Sequence, residues 1–393
     1  MRVVQHSIPV ALFLLALAAL FFLIFYNYDF GYIEGMGDYI AHYELAVKLE
    51  RGEQVGTPHL LYHALVILLR KVSGWEDVRL ISTVLATSFR VLLGLTLFVL
   101  VKLETSSGVS ERLILLSVAL FLLTAPIYLR VEPVLLPMLF LGFINYLPYH
   151  SPTQNLLLLF VIPVSLIALR AVVPQPYEKT SQRILLVTLS IFLVTLLSLS
   201  KPSYSIALLP ALGLIVLYRL IRRLPIDWLL LTIGLGLPFL FMLGVQYIVT
   251  YSDPQRASVE LGWLVVFREH WGIQDEVVIA RLILSVLFPV SVYLLYIREA
   301  RRDAYLNFSW LVFGVSLVWS YFFYEGGQRT FDGNFIWSAF AALFALMFST
   351  LMFLLRRYAQ GQLRLSPRVA LITIVFAAHL VSGIYAAYYL TQF

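Results

Sequence analysis

Residues 8–52 read IPVALFLLALAALFFLIFYNYDFGYIEGMGDYIAHYELAVKLERG, and the fold is decided here. The first part, up to Asn27, carries no charge and has the length of a helix that crosses a hydrocarbon core. Beyond it the chain turns polar. Gly35 and Gly37 permit a tight backbone turn, Asp38 stands where a helix N-cap stands, and Ile40, Tyr43, Ala46, Val47 and Glu50 follow at helical spacing up to Gly52. The pattern predicts one span and then an amphipathic helix over Tyr39–Arg51 lying along the membrane surface. It holds Asp38 beside the top of the span, with His42 one turn further on the same face. No small-residue cleavage site follows the span, so it reads as an uncleaved anchor.

The rest of the chain repeats the first motif. Hydrophobic residues make up 61% of the 393, charged residues 13%, and mean hydropathy is +0.87, a balance that the core of a soluble protein does not bury. Apolar segments fall near 8–27, 79–102, 112–130, 153–172, 184–200, 203–221, 227–250, 277–297, 307–324, 333–355 and 368–391. An all-α polytopic membrane protein of about eleven spans, with a range of 10 to 13, is therefore expected. Two further stretches, 58–70 and 133–147, are too short or too proline-broken to span and read as interfacial or re-entrant pieces. No internal repeat or linker divides the chain, so residues 1–393 form a single transmembrane domain.

Sidedness follows from the basic residues. Alternate loops collect 16 of the 28 Lys and Arg, among them Arg222, Arg223, Arg301, Arg302, Arg356 and Arg357, against six acids. Positive loops stay cytoplasmic, which places the amino terminus inside and the carboxyl terminus outside, in a plasma membrane. The net charge of +6 sits in these short loops instead of on a solvated face, so no nucleic-acid partner is implied. No GxxxxGK[ST] or GxGxxG occurs to cradle a nucleotide, and with no cysteine there is no thiolate chemistry.

The long loops fall on the other side, at 28–78, 131–152, 251–276 and 325–332, and they gather the candidate chemistry. Asp38 and Glu34 are the carboxylates beside the first span. Lys201 stands in a minimal turn, Ser200-Lys201-Pro202, as either a phosphate contact or a snorkelling boundary lysine. Arg329, with Glu325 and Asp332, sits in a short glycine-rich turn that grips phosphate or is simply salt-bridged. Arg256, His59 and His150 complete the candidate substrate-binding set with His42. For His150, between two prolines, a structural role competes with a functional one. Trp263 and Trp271 read as an interfacial belt. His59 and His63 have the i, i+4 spacing of a chelating pair, though without an HExxH acid. Arg90 is the one charge deep within a span, and it faces the bundle interior.

From Gly37-Asp38 through His42-Tyr43 and Ala46 to Gly52, followed by a second short helix opening at Pro58-His59, the first outer loop resembles that of the GT-C superfamily of integral membrane glycosyltransferases. The sequence likeness covers about residues 29–70 and the topology covers the chain. The resemblance implies Asp38 as catalytic carboxylate, a polyprenyl-phosphate-sugar donor on the extracytoplasmic face, and in some relatives a divalent cation, Mg²⁺ or Mn²⁺. Two departures are evident: Glu34 and Asp38 are four apart where many members have adjacent acids, and no large soluble carboxyl-terminal domain is present. The acceptor, whether glycan, lipid or protein, is left open.

The chemistry fits these residues on its own account. Glycosyl transfer needs a base for the acceptor hydroxyl and cations for the departing phosphate, and inversion needs a single base. The rival readings are a transporter or lipid flippase, and a non-catalytic assembly subunit.

Overall fold

The computed structural model describes residues 2–27, 38–105, 108–128, 141–147, 149–177, 179–252, 257–330 and 332–391. Glu34 and Arg256 lie outside them. The chain is an all-α multi-pass membrane protein. Among the described residues ten helices are long and apolar enough to cross a bilayer. In chain order the helices are α1 (Arg2–Asn27), α2 (Asp38–Glu50), α3 (Leu61–Ser73), α4 (Val78–Thr105), α5 (Glu111–Leu122), α6 (Pro152–Val172), α7 (Thr180–Ser200), α8 (Ser203–Ile221), α9 (Leu237–Tyr251), α10 (Asp275–Leu295), α11 (Ile297–Ala300), α12 (Ala304–Phe322), α13 (Ile336–Ala359) and α14 (Pro367–Leu390). A π-helical turn, Leu230–Gly236, leads into α9 and extends that span.

Helix α13 is the axis of the bundle, buried along nearly its whole length and packed against α12, α8, α6, α10 and α4. Ala339, Ala341, Ala342 and Ala345 keep its surface slim enough for neighbours to approach on every side. In the first outer loop, α2 and α3 pack on each other and both rest on α4. Gly52 takes a left-handed conformation just after α2, as the sequence suggests. The second short helix begins at Leu61, three residues after Pro58.

The expected span at 112–130 does not form as one helix. Helix α5 lasts only 12 residues, and the chain then runs from Leu123 to Tyr128 without helical structure. Pro126 removes one backbone donor and disfavours helix at Ala125. At membrane depth the freed backbone groups need partners inside the protein, and α10 and α14 supply them. Ala125 N donates to His379 O at 3.0 Å and Ile127 N to Leu284 O at 3.3 Å. Tyr128 N donates to Ser382 Oγ at 2.8 Å, Ser382 Oγ donates to Pro126 O at 2.6 Å, and His379 Nδ1 donates to Ala125 O at 2.6 Å. Helix α14 comes so near that a Cβ on Gly383 would stand 1.8 Å from Leu123 O.

A second difference concerns the loops at 251–276 and 325–332. Ala257–Leu261 (β1) and Phe323–Gly327 (β2) pair as an antiparallel ribbon, Val259 opposite Glu325, so the two loops are one structure. Trp263 is tied in by Nε1–H donation to Asp275 at 3.0 Å, and Trp271 packs edge-on to Phe267.

Ion pairs occur at both ends of the bundle. At one end, five acids of the expected cytoplasmic side are ion-paired. Asp227 pairs with Arg183 (2.5 Å), Asp303 and Glu104 with Arg356 (2.6 and 3.5 Å), Glu299 with Arg357 (3.4 Å), and Glu111 with Lys102. Arg356 closes α13 at that end, while the other end of α13 borders the candidate site.

Candidate functional site

A cavity of about 630 Å³ lies between α8 and α9 and is capped by β2. Its walls are apolar, from Ile206, Leu209 and Pro210 on α8 to Leu240, Leu243 and Gly244 on α9. At its head stand His59, Lys201, Glu325, Arg329 and Asn334. An apolar shaft ending in convergent polar groups is the shape that takes a lipid tail and its headgroup.

Lys201 reaches the head because of its turn. It caps α7 in an extended conformation (φ −168°, ψ 136°), which the following Pro202 favours, and α8 starts at Ser203. The side chain folds inward and Lys201 is only 6% exposed, which does not fit a lysine snorkelling to the surface. Burial, with a smaller contribution from Arg329 and against the pull of Asp38, Glu325 and Asp332, draws the ammonium down to about 8. Its Nζ lies 3.8 Å from the centroid of the Trp337 ring.

Glu325 sits in the middle of β2 and is 3% exposed. It accepts from Tyr251 Oη at 2.7 Å and from Asn334 Nδ2, and Arg329 Nη1 lies 3.5 Å away. Burial raises the carboxyl above its usual range, against the pull of Arg329. Arg329 donates from Nε to Asp332 Oδ2 at 2.9 Å. Burial works against its charge, but the two carboxylates more than offset that and hold it raised. The turn is salt-bridged, and Arg329 also lines the cavity.

Asp38 is the first residue of α2 and is half-buried. Its main-chain N–H donates to His150 O at 3.1 Å, anchoring the start of α2 to the segment before α6. Asp38 does not line the cavity. It borders the head, close enough to favour the charged forms of both Lys201 and His150. His150 is nonetheless lowered, chiefly by burial, and its ring packs 5.2 Å from that of Trp337.

His42, His59 and His63 cluster beside the head, with His59 also lining it. His42 Nδ1 and His63 Nε2 share a hydrogen bond of 3.0 Å, so the i, i+4 partner of His59 is engaged by His42. Burial, with each other's charge and that of Lys201, lowers His42 to about 3, and burial lowers His63 to about 4. His59 falls well below its usual value for the same reason. These rings are neutral hydrogen-bonding groups near pH 7. Among the described residues no three His, Asp or Glu side chains converge as a metal site.

The structure thus brings together Asp38, His42, His59, His150, Lys201, Glu325, Arg329 and Asp332. Trp337, Tyr251 and Asn334 were not singled out by the sequence, where a Trp or Tyr at a span end is indistinguishable from an interfacial anchor. Arg90 lies elsewhere, fully buried between the rings of Phe21 (5.6 Å) and Tyr149 (5.7 Å), with no carboxylate pairing among the described residues. Scanned against protein-family models the chain matches none, and no curated protein matches it.

Proposed function

We propose that the chain is an integral membrane glycosyltransferase that moves a sugar from a polyprenyl-phosphate donor to an acceptor hydroxyl on the extracytoplasmic face. One observation carries this reading: an apolar cavity between two membrane helices whose polar head presents Lys201 and Arg329 beside Asp38. The apolar shaft suits the prenyl chain and the cations suit the phosphate. The basic end of the bundle is then cytoplasmic and the cavity head extracytoplasmic.

In the reaction the acceptor oxygen attacks the anomeric carbon while Asp38 takes its proton. The bond from that carbon to the phosphate oxygen breaks, and its electron pair leaves with the polyprenyl phosphate, whose charge Lys201 and Arg329 stabilise. A single displacement inverts the anomeric centre.

A flippase reading has one observation in its favour, the break at the end of α5, since transporters build sites at broken helices. Here the freed backbone is bonded into α10 and α14 instead of lining a cavity. The deciding experiment uses protein in lipid nanodiscs and polyprenyl-phosphate donors labelled in the sugar, with release of polyprenyl phosphate as readout. Wild type releases it and Asp38→Asn does not. Equal release by the two proteins sinks the assignment.

A further inference from the structure

Lys201 presents a problem of charge. Its ammonium is buried, yet among the described residues no carboxylate lies within 4 Å of it. What it meets is the face of Trp337, with Nζ 3.8 Å from the ring centroid, a close cation–π contact in a desolvated place.

The indole is itself fixed in position. Trp337 is the second residue of α13, and Phe340 packs edge-on against its ring at 5.2 Å. Its main-chain carbonyl accepts from Gln154 Nε2 at 3.4 Å, and Gln154 Oε1 accepts in turn from Ser203 Oγ at 3.3 Å, at the start of α8. The His150 ring also rests on the indole, and the His150 carbonyl is the acceptor that anchors Asp38. One aromatic ring therefore touches both the turn that carries the cation and the segment whose carbonyl anchors the base.

We propose that Trp337 is a positioning residue, whose ring holds the Lys201 ammonium at the head of the cavity ready for an anionic headgroup and joins it to the His150 segment that seats Asp38. This deepens the glycosyltransferase reading and rests on it. The other groups facing Lys201 are Asp38 and His42 from α2, His59 ahead of α3, His150, and Glu325, Arg329 and Asp332 from the β2 turn. Replacing the indole removes none of these charges. The protonated ammonium alone loses a favourable neighbour, so its titration midpoint falls below about 8.

The chain has only five lysines, so reductive methylation with ¹³C-formaldehyde yields a spectrum that Lys201→Arg assigns. In wild type the ring current of Trp337 displaces the Lys201 methyl signal upfield. In Trp337→Leu that signal returns to the range of the other lysines, and its midpoint drops by roughly one unit. Trp337→Phe is intermediate in both respects and serves where the leucine variant folds poorly. Steady-state assays of Trp337→Leu show a KM for the lipid-phosphate donor raised roughly tenfold, with a smaller change in kcat. An unshifted Lys201 signal in wild type, or one unmoved in a folded Trp337→Leu, overturns the proposal. Addition of farnesyl phosphate separates the two claims: a Lys201 signal that moves supports the donor site, and one that stays put counts against the donor site while leaving the result on the indole standing.

Discussion

The main-chain amide of Asp38 bonds to the carbonyl of His150 over 3.1 Å, so α2 is seated by backbone and its carboxylate is spared for other work. Substitution of the side chain leaves that bond intact. Asp38→Asn is accordingly expected to lower sugar transfer by about 10²- to 10⁴-fold, the usual worth of a general base, with the melting temperature nearly unchanged. Loss of fold together with activity would assign Asp38 to structure instead.

Lys201 sets a pH limit. Its lowered value means that the cation is present below about pH 8 and lost above it. Dissociation constants for farnesyl phosphate measured between pH 7 and 10, where the phosphate itself is already mostly the dianion, should therefore rise through that value. A bound anion stabilises the ammonium, so the midpoint in the complex lies higher than in the free protein. In Lys201→Arg the guanidinium stays charged and the profile flattens. A wild-type constant that does not vary with pH refutes the phosphate contact.

The shaft between α8 and α9 offers a steric test. A Cβ at Gly244 meets nothing within 4 Å, so a large side chain fits there and projects into the space that the lipid tail would fill. Gly244→Trp should abolish turnover of long polyprenyl-phosphate donors and spare part of that with a short prenyl chain. Equal loss on both substrates would show that the tail lies elsewhere.

The break after α5 makes a prediction about stability. Any side chain at Gly383 collides with the backbone at Leu123, which cannot rotate away, and overpacking typically costs about 1–3 kcal/mol, more where backbone must shift. Gly383→Val should lower the melting temperature sharply, whereas Gly314→Ala, where a Cβ meets nothing within 4 Å, should not. Similar melting curves for the two would mean that α14 does not clamp the break.

Much of this arrangement is legible in the residues because the bilayer leaves few options. A run such as 8–27 has one way to satisfy its backbone, and nine further spans follow the same logic. Asp38, Lys201 and Arg329 could be read because charged residues are only 13% of the chain, so isolated ones beside a span are conspicuous. The span at 112–130 fails because hydropathy counts side chains and ignores that Pro126 lacks a donor, and because the compensating bonds come from His379 and Ser382, far along the chain. The ribbon of β1 and β2 depends on pairing between segments with no alternating pattern to reveal it. Trp337 was missed because an indole's partner, unlike its place in a helix, is a tertiary fact.

The bonds that complete the broken crossing have a consequence for biogenesis. Ala125 and His379 are 254 positions apart, so a nascent chain leaves the peptide groups of Ala125, Pro126 and Tyr128 without their partners on α14 until nearly the whole polypeptide has been made. This segment therefore gains its full set of bonds only once the final helix has been made.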